Sequence, residues 1–169
     1  MLPHDGSSGD FSTVAPQVVL HGARLPWERD ATGARLRVPW LAVLVCRGPE
    51  SRVAADRREE HREGRREERA SPWRMLEMAR DTFTEVIAPL HALPSLIEQA
   101  PDTGPARIRV RAHRMPRSAG SYVAHLVSLQ GCAPYFDSAH VAPRERTVRL
   151  ASLHSWSFRH LPAGTDEAP

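Results

Sequence analysis

From Arg107 onward the chain reads with a period of two, and that alternation constrains the fold more than any other feature. In Arg107 to His113 the apolar residues Ile108, Val110 and Ala112 alternate with Arg107, Arg109, Arg111 and His113. Successive side chains of a strand point to opposite faces, so the pattern predicts a strand with one dry and one wet face. Pro116 to Gly120 makes a turn, Ser121 to Cys132 supplies a second strand, and Thr147 to Leu161 a third. On this last strand Val148, Leu150, Ser152, His154, Trp156 and Phe158 are expected on one face. Two of these strands nearly repeat each other: His125 to Gly131 (HLVSLQG) is echoed by Arg149 to Ser155 (RLASLHS). Ribs of one sheet under the same cover need the same alternation, so the echo predicts neighbouring strands and a scaffold, not a catalytic site.

The first half is less regular. A flexible start over residues 1–16, rich in Gly and Ser, precedes a strand from Gln17 to Arg24 and a second one from Val38 to Cys46. Pro26 and Gly33 mark the turn region between them, and the two strands are expected to pair as a hairpin with a long loop. Residues 51–70 hold seven Arg and six acidic residues with no apolar stripe, so they cannot dock on a core and are expected to form a charged, solvated insertion. Ser71 and Pro72 then supply an N-cap and a first-turn proline. Trp73, Leu76, Phe83, Ile87 and Leu90 recur at helical spacing, which predicts one amphipathic helix ended by Pro89 and Pro94. A short helical turn and a linker are expected after it.

Composition narrows the class. A chain of 169 residues suits one domain, here 17–162 with a flexible tail over 163–169, and its 15 prolines favour short elements over a bundle of long helices. All 23 basic residues are Arg, and neither Lys nor Asn occurs; this reads as the codon bias of a high-GC bacterium. The opening residues lack a basic and an apolar region, so no secretory signal is expected. The longest apolar run, Val38 to Cys46, is less than half of the ~20 residues a spanning helix needs. A cytoplasmic location without a membrane partner follows as the expectation. Cys46 and Cys132 are too few and too far apart for a disulfide framework and read as small buried hydrophobes.

Four stretches, VVLHGARLPWERD, PWLAVLV, GSYVAHLVSLQG and VRLASLHSWSFRHLP, resemble a group of bacterial proteins that carry G-x-R-L-P-W-E-R, P-W-L-A-x-L, H-L-V-S-L-x-G and L-x-S-L-x-S-W-x-F in this order. In that group an apolar and acidic stretch follows the second strand, whereas here Cys46 to Arg52 and the charged run follow. No activity is established for the group. The resemblance therefore implies a coherent fold and brings no catalytic residue.

Four constellations compete for function. A hydrolytic triad would draw on Ser128 or Ser152, His125 or His154, and Asp137, but neither Ser lies in a G-x-S-x-G turn and both sit mid-strand between apolar neighbours. A metal site would draw on His125, Cys132, His140, His154 and His160, yet no His-x-x-His or Cys-x-x-Cys pair is present; His125, His154 and His160 stay as weak candidates. His21, His91 and His113 read as surface or turn residues. The segment from Arg107 to His160 has nine Arg against Asp137 and Glu145, so Arg107, Arg109, Arg111, Arg114 and Arg117 are candidates for binding an anion or a nucleic acid. Trp27, Glu28 and Arg29 form either an anchor for a partner or, as favoured here, a local plug that fixes a turn.

The expectation is a single α+β domain, mainly antiparallel sheet, with one amphipathic helix and a charged insertion. No cofactor motif is present. The leading functional reading is a non-enzymatic structural or protein-interaction component of a larger bacterial assembly, which associates with partner proteins or with itself. Anion or nucleic-acid binding through the Arg-rich strand is the first alternative, and a hydrolase or metalloenzyme using the histidines the second.

Overall fold

A computed structural model describes residues 15–22, 25–27, 38–54, 73–99, 107–136 and 146–161. Its strands are β1 (Gln17–His21), β2 (Leu41–Arg47), β3 (Ser51–Val53), β4 (Arg74–Ala79), β5 (Ile97–Gln99), β6 (Arg107–Arg111), β7 (Gly120–Ser128) and β8 (Thr147–His160). Two short helices, α1 (Arg80–Val86) and α2 (Ala133–Phe136), and 3-10 turns at Leu25–Trp27, Gly48–Glu50 and Leu90–Leu96 complete the described elements. The described residues are mostly antiparallel sheet.

The strands form a small sheet, β1-β6-β5, and a larger one, β2-β7-β8-β4-β3. A parallel bridge from Val43 to Ala112 joins β2 to the residue that follows β6. The echoed segments are neighbours as expected, with His125 opposite Ser155 and Ser128 opposite Ala151 in the β7/β8 ladder. β2 is buried on both faces from Leu41 to Cys46, which is why Val38 to Cys46 is apolar without alternation. Its register with β7, and that of β8 with β4, places Ala42, Leu44, Val127, Leu150, Val148, Leu76 and Met78 on one dry face. They belong to one core that also takes in Phe83 and Val86 of α1, Leu93, and Ile108 and Val110 of β6. On the far side of β3, β4 and β8 the surface is wet: Glu77 accepts bonds from Arg52 at 2.8 Å and Arg149 at 3.0 Å, one on each flanking strand. These two guanidiniums hold the Glu77 carboxyl below its usual range.

Several expectations change. The expected hairpin does not form: β1 pairs with β6, and β2 with β7. The expected amphipathic helix is cut to Arg80–Val86, because Arg74–Ala79 is a strand held between β3 and β8. Leu76 and Met78 are buried two apart, so period two also fits these residues, and the open edge of β8 supplies ladder bonds that a helix would forgo. Within the expected insertion, Ser51–Val53 pairs with Leu76 to Met78; its remainder from residue 55 lies outside the described residues, as do 1–14 and 162–169. The expected linker after the Leu90–Leu96 turn contains β5, paired with β6.

Candidate interaction site

The largest correction concerns β8. The β7/β8 ladder sets Val127 against Ser152 but Leu126 against His154, leaving Leu153 as an extra residue, a β-bulge. A single extra residue exchanges the faces of everything beyond it. Val148, Leu150 and Ser152 therefore point to the dry face with Val127, whereas His154, Trp156, Phe158 and His160 lie on the opposite face with Leu126, Ala124 and Tyr122. Strict alternation over Thr147–His160 had placed them together.

Beyond the bulge the strand carries a row of rings. His154 stacks on Trp156 with centroids 5.8 Å apart, Phe158 stacks on Tyr122 at 5.7 Å, and His160 meets Tyr122 edge-on at 6.4 Å. Tyr122 is buried and its hydroxyl donates to the Ser118 carbonyl at 3.0 Å, while the Arg47 guanidinium lies 5.5 Å from its ring centre. The row thus rests on a fixed base. His154 is exposed, Trp156, Phe158 and His160 are half-buried, and the other face of this arm carries exposed Ser155, Ser157 and Arg159.

The outer edge of this arm is open among the described residues. β7 follows β8 to His160, but β4 follows its other edge only as far as Arg74 opposite Ser152. From Leu153 to His160, alternate residues turn their main-chain groups toward this edge, where no described strand pairs with them. Trp73, 43 % exposed, lies where β4 departs, and Leu161, 57 % exposed, lies at the far end. These are two of the four exposed large hydrophobics among the described residues.

The arginine candidates divide. Arg107, Arg109 and Arg111 share one face of β6 with Gln17, Val19 and His21 of β1 and Glu98 of β5, opposite buried Ile108 and Val110, as the alternation predicts. Glu98 faces Arg109 in the ladder but ion-pairs with Arg111 at 2.5 Å. The buried Nε groups of Arg109 and Arg111 have no hydrogen-bond partner among the described residues. Arg114 belongs to a different structure: its fork grips Glu50 at 2.7 and 2.9 Å, and Glu50 also accepts the Arg47 N–H at 2.7 Å. Burial opposes ionisation of Glu50, but the Arg114 fork and the Arg47 N–H outweigh it and hold the carboxyl below its usual range. Arg117 is exposed on the loop before β7.

The hydrolase candidates meet in part. Nδ1 of His125 lies 3.1 Å from Oγ of Ser152, both residues being buried. The Ser152 hydroxyl donates onward to the His154 carbonyl at 3.4 Å, so the ring nitrogen donates to Ser152. A general base must instead accept from its nucleophile. Burial holds His125 below the usual imidazole range, favouring the neutral ring. Ser128 lies on the other face from Ser152, while Asp137 and His140 lie outside the described residues. His125 and His154 project to opposite faces, and His154 and His160 are six residues apart on one strand, roughly 20 Å at 3.4 Å per residue. No group of three ligating side chains converges among the described residues. Cys46 and Cys132 are free and buried, and burial pushes each thiol up to about 11. A cleft of about 350 Å³ lies between α1, the Leu90–Leu96 turn and α2, lined by Thr84, Ile87, Leu90, His91, Tyr135 and Phe136. No described helix is long and apolar enough to cross a membrane.

Trp27 is half-buried beside buried Pro26, whose carbonyl accepts the Trp40 N–H at 2.9 Å; Glu28 and Arg29 lie outside the described residues. The open edge of β8 was missed from sequence. Its signal is a strand-forming run, Leu153 to Leu161, with no Pro and no acidic residue. Compared with protein-family models, curated proteins and solved structures, the chain gives no match.

Proposed function

We propose that this chain is a non-enzymatic protein-interaction component of a larger bacterial assembly in the cytoplasm, and that it docks through the outer edge of β8. The observation that carries the reading is the ring row on β8 from Leu153 to His160, beside an edge that no described strand covers. Natural proteins blunt exposed edges with prolines, charges or short strands, because an open edge templates pairing. Here Arg159 is the single charged side chain between Leu153 and Leu161, and exposed apolar residues bracket the edge. Strand addition gives affinity through main-chain bonds and selectivity through alternate side chains, which suits such an edge. The test places a photo-crosslinker at exposed Ser157, and at exposed Thr84 of α1 as the control, in the full chain within its host. A discrete protein adduct from position 157 and none from 84 is expected. Equal adduct patterns from both positions refute the reading.

A second reading rests on the β6 arginines. Three guanidiniums at alternate positions, spaced roughly 6.8 Å apart along the strand, form a ladder that an extended polyanion fits. Glu98 compensates Arg111, and among the described residues the Arg109 Nε has no partner. Retention on heparin should fall with salt, and single-stranded DNA affinity should show a log–log slope near about −2 for three phosphates neutralised. Arg107→Gln, Arg109→Gln and Arg111→Gln combined should flatten that slope; an unchanged slope removes the reading.

A further inference from the structure

We infer that the ligand of the β6 arginine ladder is a single-stranded nucleic acid, laid with its phosphates along Arg107, Arg109 and Arg111 and its bases over Val19 and His21 of β1. This rests on the reading of β6 as a polyanion-binding strand. The two strands that flank β6 fix the orientation. On the β1 side the register sets Gln17 opposite Arg111, Val19 opposite Arg109 and His21 opposite Arg107. Val19 is 45 % exposed and His21 is exposed, while the intervening Val18 and Leu20 pack on the core. An amide, an apolar side chain and a ring therefore line this flank. On the β5 side Glu98 stands opposite Arg109 and pairs with Arg111 at 2.5 Å.

The flanks are chemically unequal, and a nucleotide strand is unequal in the same way. Guanidinium forks take phosphate oxygens, and alternate positions of a strand repeat at roughly 6.8 Å, so successive arginines can each serve one phosphate of an extended chain. The bases must then lie to one side. Over β5 they would cover the Glu98 carboxylate and strip it of water, which an ionised group resists. Over β1, one strand away at about 4.8 Å, they meet an apolar side chain and a ring on which a base can stack. Glu98 then acts as an internal competitor, because the phosphate that takes Arg111 has to displace it. A duplex hides its base faces and gains nothing from His21, and inorganic polyphosphate has no bases at all.

The test measures binding of the full chain to labelled oligo(dT) and to labelled inorganic polyphosphate by fluorescence anisotropy at low salt. His21→Ala should weaken oligo(dT) about fivefold or more, the lower end of what one stacked base contributes, and leave polyphosphate within about twofold of the wild type. His21→Phe keeps a ring and should bind oligo(dT) as the wild type does. Glu98→Gln removes the competitor and should tighten both probes by about two- to fivefold, the worth of an exposed ion pair. His21 and Glu98 lie on the face away from buried Ile108 and Val110, so these variants leave the core packing in place. Equal weakening of both probes by His21→Ala, weak oligo(dT) binding by His21→Phe, or no gain from Glu98→Gln overturns the inference and leaves a polyanion site on β6. No binding of either probe, or binding that survives Arg107→Gln, Arg109→Gln and Arg111→Gln combined, removes the arginine reading itself.

Discussion

The His125 and Ser152 pair gives the sharpest test of the core. Ser152→Ala leaves the buried Nδ1–H without its acceptor, which costs about 1–3 kcal/mol. Changing both partners, His125→Leu with Ser152→Ala, leaves no orphaned donor, so the double variant should cost less than the sum of the singles. Acid supplies an independent perturbation. Burial depresses the folded-state pKa of His125, so as pH falls the unfolded chain binds the proton first, near the ordinary value of about 6.5. The contribution is fully present above that pH and is lost below it. From pH 7.5 to 5.5 one such proton amounts to at most about 1.4 kcal/mol. Urea unfolding followed by tryptophan fluorescence at the two pH values, in wild type and His125→Leu, isolates this residue from the exposed histidines. If both proteins lose equal stability on acidification, the ring is not held neutral in the core and the assignment of its proton fails.

Three further outcomes follow from the packing. Phe83, fully buried and edge-on to Tyr135 at 6.1 Å and Phe136 at 5.7 Å, should cost about 3–5 kcal/mol on truncation to Ala, read from the same urea transitions. Neither thiol should react with a disulfide reagent at pH 8 while the chain is folded, since both are buried with pKa values near 11; two thiols per chain should react at once in denaturant. Glu50→Gln should lose about 1.5–3 kcal/mol, because the Arg114 fork loses its charged acceptor. The wild-type contribution of that carboxylate is present above the ordinary carboxylate range and disappears as acid protonates it, so Glu50→Gln should flatten the stability profile below about pH 4.3.

Alternation is legible wherever a strand has one wet face, and β6 and the inner half of β8 follow it residue by residue. β4 was read as helix because Trp73, Leu76 and Phe83 satisfy a helical period, while Leu76 and Met78 satisfy a period of two equally well. The partner strand decides between them, and β8 lies some seventy residues away in the chain. The false β1/β2 hairpin has the same origin: proximity in sequence suggested a pairing that β6 and β7 take over. At the candidate site, the arginine ladder is written in the order of residues. The aromatic row is not, because a bulge carries no composition of its own; Leu153 is an ordinary leucine, and its role exists through the register of Ser152 and His154 against β7. Arg114 shows the same limit in another form, since its carboxylate partner sits 64 residues upstream.

Leu153 also divides the labour of a single strand. Before it, β8 answers to the interior, where Val148 and Leu150 are wholly enclosed and substitution is penalised by lost volume. After it, the same ribbon answers to whatever lies outside, and Ser155, Ser157 and Arg159 are free to vary without disturbing the enclosed half. Substitutions on the outer segment therefore act on the surface while stability is inherited from the inner one, and the boundary between the two is one residue wide.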